Sequence, residues 1–310
     1  NGSAKMSWQA TATNLLFRAT IKQLMGFLGP DAAEHARKMT FLTDGVPPGV
    51  EVEEVAFDQF HARWVRPEKQ AATQKTILYL PGGGFIFPAS SGHTTIVSKL
   101  ARKTQSQGLM VHYRLAPEHP FPAGLEDALA AYRYLIEECG ISAGDILFAG
   151  DSAGGGLTLS LLLAIRDEKL PMPKAVTLIS PMADLSFSGA SRITNRWRDP
   201  MLPTDRRMNA FEMYSGDTPA DHPLLSPLFG DLSGLPPILI QVGSTEILLD
   251  DALRIARKAR SQGVDVEVEV WNSLPHVWHL WSYIPEADRA LSRIARFMIE
   301  HSGAVESQLA

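Results

Sequence analysis

Three residue types in a fixed chain order carry the chemistry of this sequence: a serine, then an acid, then a histidine. The serine is Ser152, in FAGDSAGGG (Phe148–Gly156), which matches Gly150-x-Ser152-x-Gly154. A hydrophobic run precedes it and the apolar stretch LTLSLLLAI (Leu157–Ile165) follows. A serine on a sharp strand-to-helix turn is lifted clear of its sheet, and small residues two positions away on either side let the backbone pass close to itself. The first N–H groups of the following helix then face any negative charge that develops there. A serine hydroxyl is a poor nucleophile at neutral pH and needs a base, and the base needs an orienting acid. Downstream, GSTEILLDDA (Gly243–Ala252) offers Glu246, Asp250 and Asp251, and NSLPHVWHLW (Asn272–Trp281) offers His276 and His279. Glu246 falls in a loop just past a strand, whereas Asp250 and Asp251 fall where a helix start favours acids for structural reasons. His276 follows Pro275 in a loop, and His279 comes one helical turn later between two tryptophans. Glu246 and His276 are the favoured pair, with Asp250 and His279 as the alternatives.

Attack by Ser152 on an acyl carbon would create an oxyanion, which needs hydrogen-bond donors fixed in advance. The N–H of Ala153 is one. The loop after the third strand should supply the others, and there the sequence reads LPGGGFIF (Leu80–Phe87). Gly82, Gly83 and Gly84 leave bare backbone that can approach a substrate closely. The competing explanation is a strained turn and nothing more.

These residues must be positioned by a scaffold, and the hydrophobic pattern supplies one. Residues 50–67 alternate with period two, like half-buried antiparallel strands. Six continuous apolar runs follow, TILYL, LMVHY, DILFAG, AVTLIS, ILIQVG and VEVEVW. Such runs suit a parallel sheet buried on both faces. Helical patterns separate them at residues 93–106, 125–138, 153–167, 252–262 and 286–301. Alternating strand and helix predicts a doubly wound α/β sandwich. Ser152, Glu246 and His276 all lie just past carboxyl ends of its strands, the edge where open α/β sheets bind ligands. Residues 184–234 break the alternation, being rich in Pro, Asp, Arg and Met without a strand run. That segment is too long for a plain loop and is expected to join one or two N-terminal amphipathic helices in a cap. Those helices carry Leu15, Leu16, Ala19, Leu24, Phe27 and Leu28 at helical spacing and break at LGPD. The expected division is 1–45 for the N-terminal cap helices, 46–183 with 235–305 for the core, and 184–234 for the cap insertion.

Composition excludes other classes. The 310 residues hold 29 basic and 34 acidic side chains, a net charge of −5 without a run of like charges, so neither nucleic acid nor an anionic membrane is an expected partner. No apolar stretch is long enough to span a bilayer. The single cysteine, Cys139, has no partner for a disulfide or a cysteine-based metal cluster. The opening NGSAKM reads as a cloning remnant ahead of Met6, and a cytoplasmic location is the default expectation.

Taken together, GGGF after a strand, YRLAPEHPFPA (Tyr113–Ala123), GDSAGGG, GSTEILLDD and PHVWH resemble the hormone-sensitive-lipase family of α/β-hydrolases, in its bacterial carboxylesterase branch. The resemblance runs over roughly residues 76–299. It implies an α/β-hydrolase fold, an eight-stranded mostly parallel sheet flanked by helices, with a helical cap. It also implies a serine carboxylesterase without cofactor or metal, acting on a small-molecule ester of short to medium acyl length. By this resemblance Ser152 is the nucleophile, His276 the base and Glu246 the acid, and Gly83, Gly84 and Ala153 supply the oxyanion donors. A homodimer is common in the family. An amidase or deacetylase with the same residues, or a non-catalytic ligand receptor on the same fold, are the alternative readings. Phe85, Phe87, Trp197, Met201, Phe211, Tyr214, Trp278 and Trp281 are the expected pocket residues. Two positions depart from the family pattern: Glu246 stands where Asp is usual, and Pro81 stands where the family has a histidine that tethers the glycine loop. Proline fixes φ near −65°, so stiffening is expected to replace tethering.

Overall fold

The computed structural model describes residues 6–23, 45–68, 73, 75–204 and 210–302. Eight strands form one sheet: β1 (Val50–Ala56), β2 (His61–Pro67), β3 (Thr76–Leu80), β4 (Gln107–His112), β5 (Ile146–Asp151), β6 (Ala175–Ile179), β7 (Ile238–Gly243) and β8 (Val266–Trp271). Their order across the sheet is β1-β2-β4-β3-β5-β6-β7-β8. β1 pairs antiparallel with β2 and β2 antiparallel with β4, and every later pairing is parallel. The continuous apolar runs are explained by burial: every residue of β3, β5, β6 and β7 is buried.

The described α-helices are α1 (Trp8–Ala19), α2 (Ser91–Thr104), α3 (Ala123–Arg133), α4 (Ser152–Asp167), α5 (Ser191–Thr194), α6 (Ala210–Ser215), α7 (Leu249–Ser261) and α8 (Pro285–His301), of which α2, α3, α4, α7 and α8 cover the two faces of the sheet. Successive strand side chains point to opposite faces, which divides the core in two. Ile77 and Tyr79 pack with Ile96 and Leu100 of α2 and Ile294 and Phe297 of α8. Leu78 and Leu80 pack on the other side with α3, α4 and α7. α4 is apolar all round because it is buried from Ala153 to Ile165.

The N-terminal helix differs from expectation in its orientation. α1 buries Ala10, Thr13 and Phe17, while Leu15 and Leu16 are exposed. The reason is its docking point. Ser7 donates through both its N–H and Oγ to Glu286 at the start of α8, and Phe17 packs edge-on against Trp281. Leu24, Phe27, Leu28 and the LGPD break lie outside the described residues. The 184–234 segment contains α5, α6 and a short 3₁₀ turn at Pro227–Phe229, with no strand among the described residues. α1 reaches this segment through Arg18, which donates to the Arg198 carbonyl at 2.9 Å.

Glycine is demanded where α4 crosses neighbouring backbone. A Cβ on Gly156 would sit 1.9 Å from the Met182 carbonyl oxygen, whereas one on Gly144 would meet nothing closer than 3.5 Å. Backbone cannot give way as a flexible side chain can. Gly156→Ala is therefore expected to cost about 3 kcal/mol, the upper end of ordinary overpacking, in urea unfolding. Gly144→Ala should change stability by no more than about 1 kcal/mol. Equal effects of the two would refute the close crossing.

Candidate active site

β5 ends at Asp151 and α4 starts at Ser152 with no intervening loop, so Ser152 takes φ +52°. That left-handed conformation is uncommon for a residue with a side chain, and it turns the hydroxyl out of the sheet. The flanking glycines allow it. A Cβ on Gly150 would lie 2.4 Å from Thr158 Oγ1, and one on Gly154 would lie 2.0 Å from the Leu80 carbonyl oxygen.

The loops after β7 and β8 bring Glu246 and His276 to Ser152. His276 Nε2 is 2.8 Å from Ser152 Oγ, and His276 Nδ1 is 2.7 Å from Glu246 Oε2. A carboxylate only accepts, so Nδ1 carries the proton and Nε2 is left to accept from the serine hydroxyl. Glu246 is fully buried, and its other oxygen accepts from the Gly243 N–H at 2.6 Å and Ser180 Oγ at 2.8 Å. Burial works against a charged His276, but Glu246, with added attraction from Asp199 and Asp151, outweighs it and raises the imidazole pKa above 6.5.

The alternatives occupy other roles. Asp250 accepts from the Ser191 N–H at 2.8 Å, and Asp251 accepts from the N–H groups of Ala183 and Asp184, so both pin the 184–234 segment to α7. His279 is buried against Gln241, 2.8 Å from its Oε1, and burial lowers its pKa to about 3. It is a neutral core histidine.

Gly83 and Gly84 line a cavity of about 670 Å³ that also contains Ser152 and His276. Both glycines have positive φ, +137° and +61°. Among the described residues, no backbone hydrogen bond uses the N–H of Gly83, Gly84 or Ala153.

A family described as the alpha/beta hydrolase fold matches residues 77–280 of this chain. An acetyl-hydrolase of Streptomyces hygroscopicus is 43% identical over 261 residues, covering 84% of this chain and 85% of its own. An esterase of Acinetobacter venetianus is 33% identical over 294 residues, covering 94% and 96%. A crystal structure of an esterase from the bacterial hormone-sensitive lipase family matches with a TM-score of 0.87 at 34% identity, covering 97% of this chain and 100% of that one. The chain belongs to the hormone-sensitive-lipase family of α/β-hydrolases.

The departure from the family pattern at Pro81 has a structural answer that the sequence reading missed. The glycine loop is tethered, not merely stiffened. Tyr113 donates its hydroxyl to the Pro81 carbonyl at 2.7 Å, and the Gly82 N–H donates to Asp151 Oδ1 at 3.0 Å. Asp151 also accepts from the Tyr79 hydroxyl at 2.7 Å, and His93 Nε2 lies 3.5 Å from its other oxygen. Burial alone would raise the Asp151 pKa, but His93, Tyr79 and the Gly82 N–H together bring it below the usual value. Burial pushes the Tyr113 hydroxyl well above its ordinary pKa, with Tyr214 and Asp151 adding to it, so it remains a donor. Both residues stand inside motifs already singled out, Asp151 in GDSAGGG and Tyr113 in YRLAPEHPFPA, and that was the available signal.

The expected pocket residues divide. Phe87, Met201 and Phe211 line the cavity. Phe85 does not: the N–H groups of Ile86 and Phe87 both bond to Gly83 O, and this tight turn sends Phe85 beneath α6, stacked 3.6 Å from Tyr214. Tyr214 is consumed in that stack. Trp197 is 77% exposed, with Arg196 over its ring. Trp278 is fully buried against Trp271 and His279, and Trp281 packs on Phe17. Phe187, Arg192 and Leu185 line the cavity instead, and no periodicity in the 184–234 segment distinguishes them.

Tyr113→Phe strands the buried Pro81 carbonyl. It is expected to cost about 1–3 kcal/mol in urea unfolding. A variant as stable as the wild type would mean that the loop is held elsewhere.

Proposed function

We propose that this carboxylic ester hydrolase works through an acyl-enzyme formed on Ser152, with His276 as base and Glu246 as its orienting acid. The observation that carries the reading is the single line of hydrogen bonds from Ser152 Oγ through His276 to Glu246, at 2.8 and 2.7 Å, opening into the cavity. The names of its relatives, an acetyl-hydrolase and an esterase, support the reaction class.

Ser152 Oγ attacks the ester carbonyl carbon while its proton passes to His276 Nε2. The N–H groups of Gly83, Gly84 and Ala153 receive the developing oxyanion. As the tetrahedral intermediate collapses, the bond to the alkoxy oxygen breaks and His276 returns the proton to the departing alcohol. Water, losing a proton to the same nitrogen, then attacks the acyl-enzyme, and a second collapse frees the acid and restores Ser152. Glu246 holds the imidazole tautomer and stabilises the imidazolium. The α1 helix and the 184–234 segment act as the cap over this site. The apolar lining and the acetyl-hydrolase relative favour short to medium acyl chains. An intact base beside the serine disfavours a receptor without catalysis.

With p-nitrophenyl acetate, the wild type is expected to show a burst of one nitrophenolate per active site before steady turnover. Ser152→Ala should lose about 10⁴-fold or more in kcat. Unchanged turnover in that variant would refute the assignment.

The His276 shift fixes the pH profile. His276 must be neutral to accept a proton, so kcat/KM should fall as pH drops through its raised pKa, with a midpoint above about 6.5. Glu246→Gln removes the main upward influence and should move that midpoint down while lowering kcat. A wild-type midpoint below the ordinary imidazole value would contradict the electrostatics of the site.

A further inference from the structure

Phe187 lines the cavity from the 184–234 segment with φ +54°. A bulky residue in this conformation is an outlier, and such residues persist only where their surroundings over-determine them. The surroundings here do so. Asp184, fully buried, accepts hydrogen bonds from the N–H and Oγ of both Ser186 and Ser188, and Arg254 Nη1 lies 2.7 Å from its Oδ2. The Phe187 N–H itself bonds to Asp184 O at 3.2 Å. Burial of Asp184 disfavours its charge, yet the serines and Arg254 outweigh this and lower its pKa, so the clasp keeps a carboxylate at its centre.

The ring is fixed as firmly as the backbone. Phe211 meets it edge-on, with centroids 4.5 Å apart at 64°, and the Arg192 guanidinium lies 3.8 Å above its face. Phe187 is only half-buried and belongs to the cavity wall. Packing alone would not require a left-handed backbone, because an ordinary turn could bury a phenylalanine without strain. The strained turn instead holds an aromatic ring in the wall of the cavity that Ser152 also lines.

We propose that Phe187 is the chain-length stop of this site: it ends the room available to the longer alkyl chain of an ester, and Asp184 with Arg254 are the positioning residues that hold it there. The inference rests on the ester-hydrolase reading above. It assigns substrate selectivity to a residue that takes no part in the Ser152–His276–Glu246 line.

Phe187→Gly tests it, because glycine adopts positive φ freely and leaves the turn intact. Two series are measured, p-nitrophenyl esters from acetate to decanoate and alkyl acetates from ethyl to decyl, so that either arm of the ester can report. Each methylene newly accommodated is worth about fourfold in binding. The long-to-short ratio of kcat/KM is therefore expected to rise at least about tenfold in one series. Phe187→Leu should raise the ratio less, and Phe187→Trp should lower it. Asp184→Asn should raise it with the ring still present, a change in selectivity that a purely structural role would not produce. Ratios unchanged in both series across the Phe187 variants, with wild-type ester turnover present, would overturn the chain-length stop and leave the ester-hydrolase reading standing. Absence of ester turnover in the wild type would overturn both.

Discussion

The turn at Ser152 is so tight that three glycines around it cannot carry a side chain. Besides Gly150 and Gly154, Gly82 has no room for a side chain, because its Cβ would lie 2.3 Å from Asp151 Oδ2 and 2.8 Å from the Asp151 carbonyl oxygen. β5, α4 and the loop after β3 therefore meet at backbone-to-backbone distance. This contact sets the position of Ser152 relative to the N–H groups of Gly83, Gly84 and Ala153, the relation on which the proposed electrostatic stabilisation of an oxyanion rests. The sheet around it serves to make the contact possible, since parallel strands β3 and β5 are direct neighbours and end at the same edge.

A second polar network holds the remaining residues in register with that turn. Ser180, just past β6, donates to Glu246 in the loop after β7, and its hydroxyl oxygen lies 3.4 Å from the Val277 nitrogen in the loop after β8. Glu246, the loop that carries His276 and the sheet edge are thus joined through one hydroxyl. Asp199 belongs to the same region: it accepts from the N–H groups of Met201, Leu202 and Ile247, tying the 184–234 segment to the loop that carries Glu246. The buried acids Asp151, Asp199 and Glu246 all favour a positive imidazole at His276. In the proposed acyl transfer, the imidazolium would be stabilised from several directions at once.

Much of this arrangement was legible in the sequence because burial leaves a composition mark. Strands covered on both faces read as continuous apolar runs, and β3 and β7 match their runs residue for residue; β8 has the expected bounds but is an edge strand with only Val266 buried, so its alternation of Val and Glu reflects a half-exposed strand. The order Ser152, Glu246, His276 was legible because chemistry restricts the residue types and the fold restricts their order. What could not be read is the direction of side chains at irregular backbone. Phe85 and Phe87 are two residues apart in a glycine turn, and only the dihedrals decide that one packs under α6 and the other faces the cavity. Trp197 and Phe187 look equivalent as aromatic residues of the same insertion, yet one is exposed and the other is clasped at the cavity wall. The loop tether was hidden for a related reason: Pro81 contributes through its carbonyl, an atom that every residue type possesses.

Active-site labelling tests the central assignment most directly. The folded protein would be treated with a fluorophosphonate at neutral pH and digested, and the adduct located by tandem mass spectrometry. The expected result is one phosphonyl group per chain, on Ser152, because that hydroxyl lies 2.8 Å from His276 Nε2 at the cavity lined by Gly83 and Gly84. An unlabelled Ser152 in protein that still hydrolyses esters, or an adduct on a different serine, would contradict it.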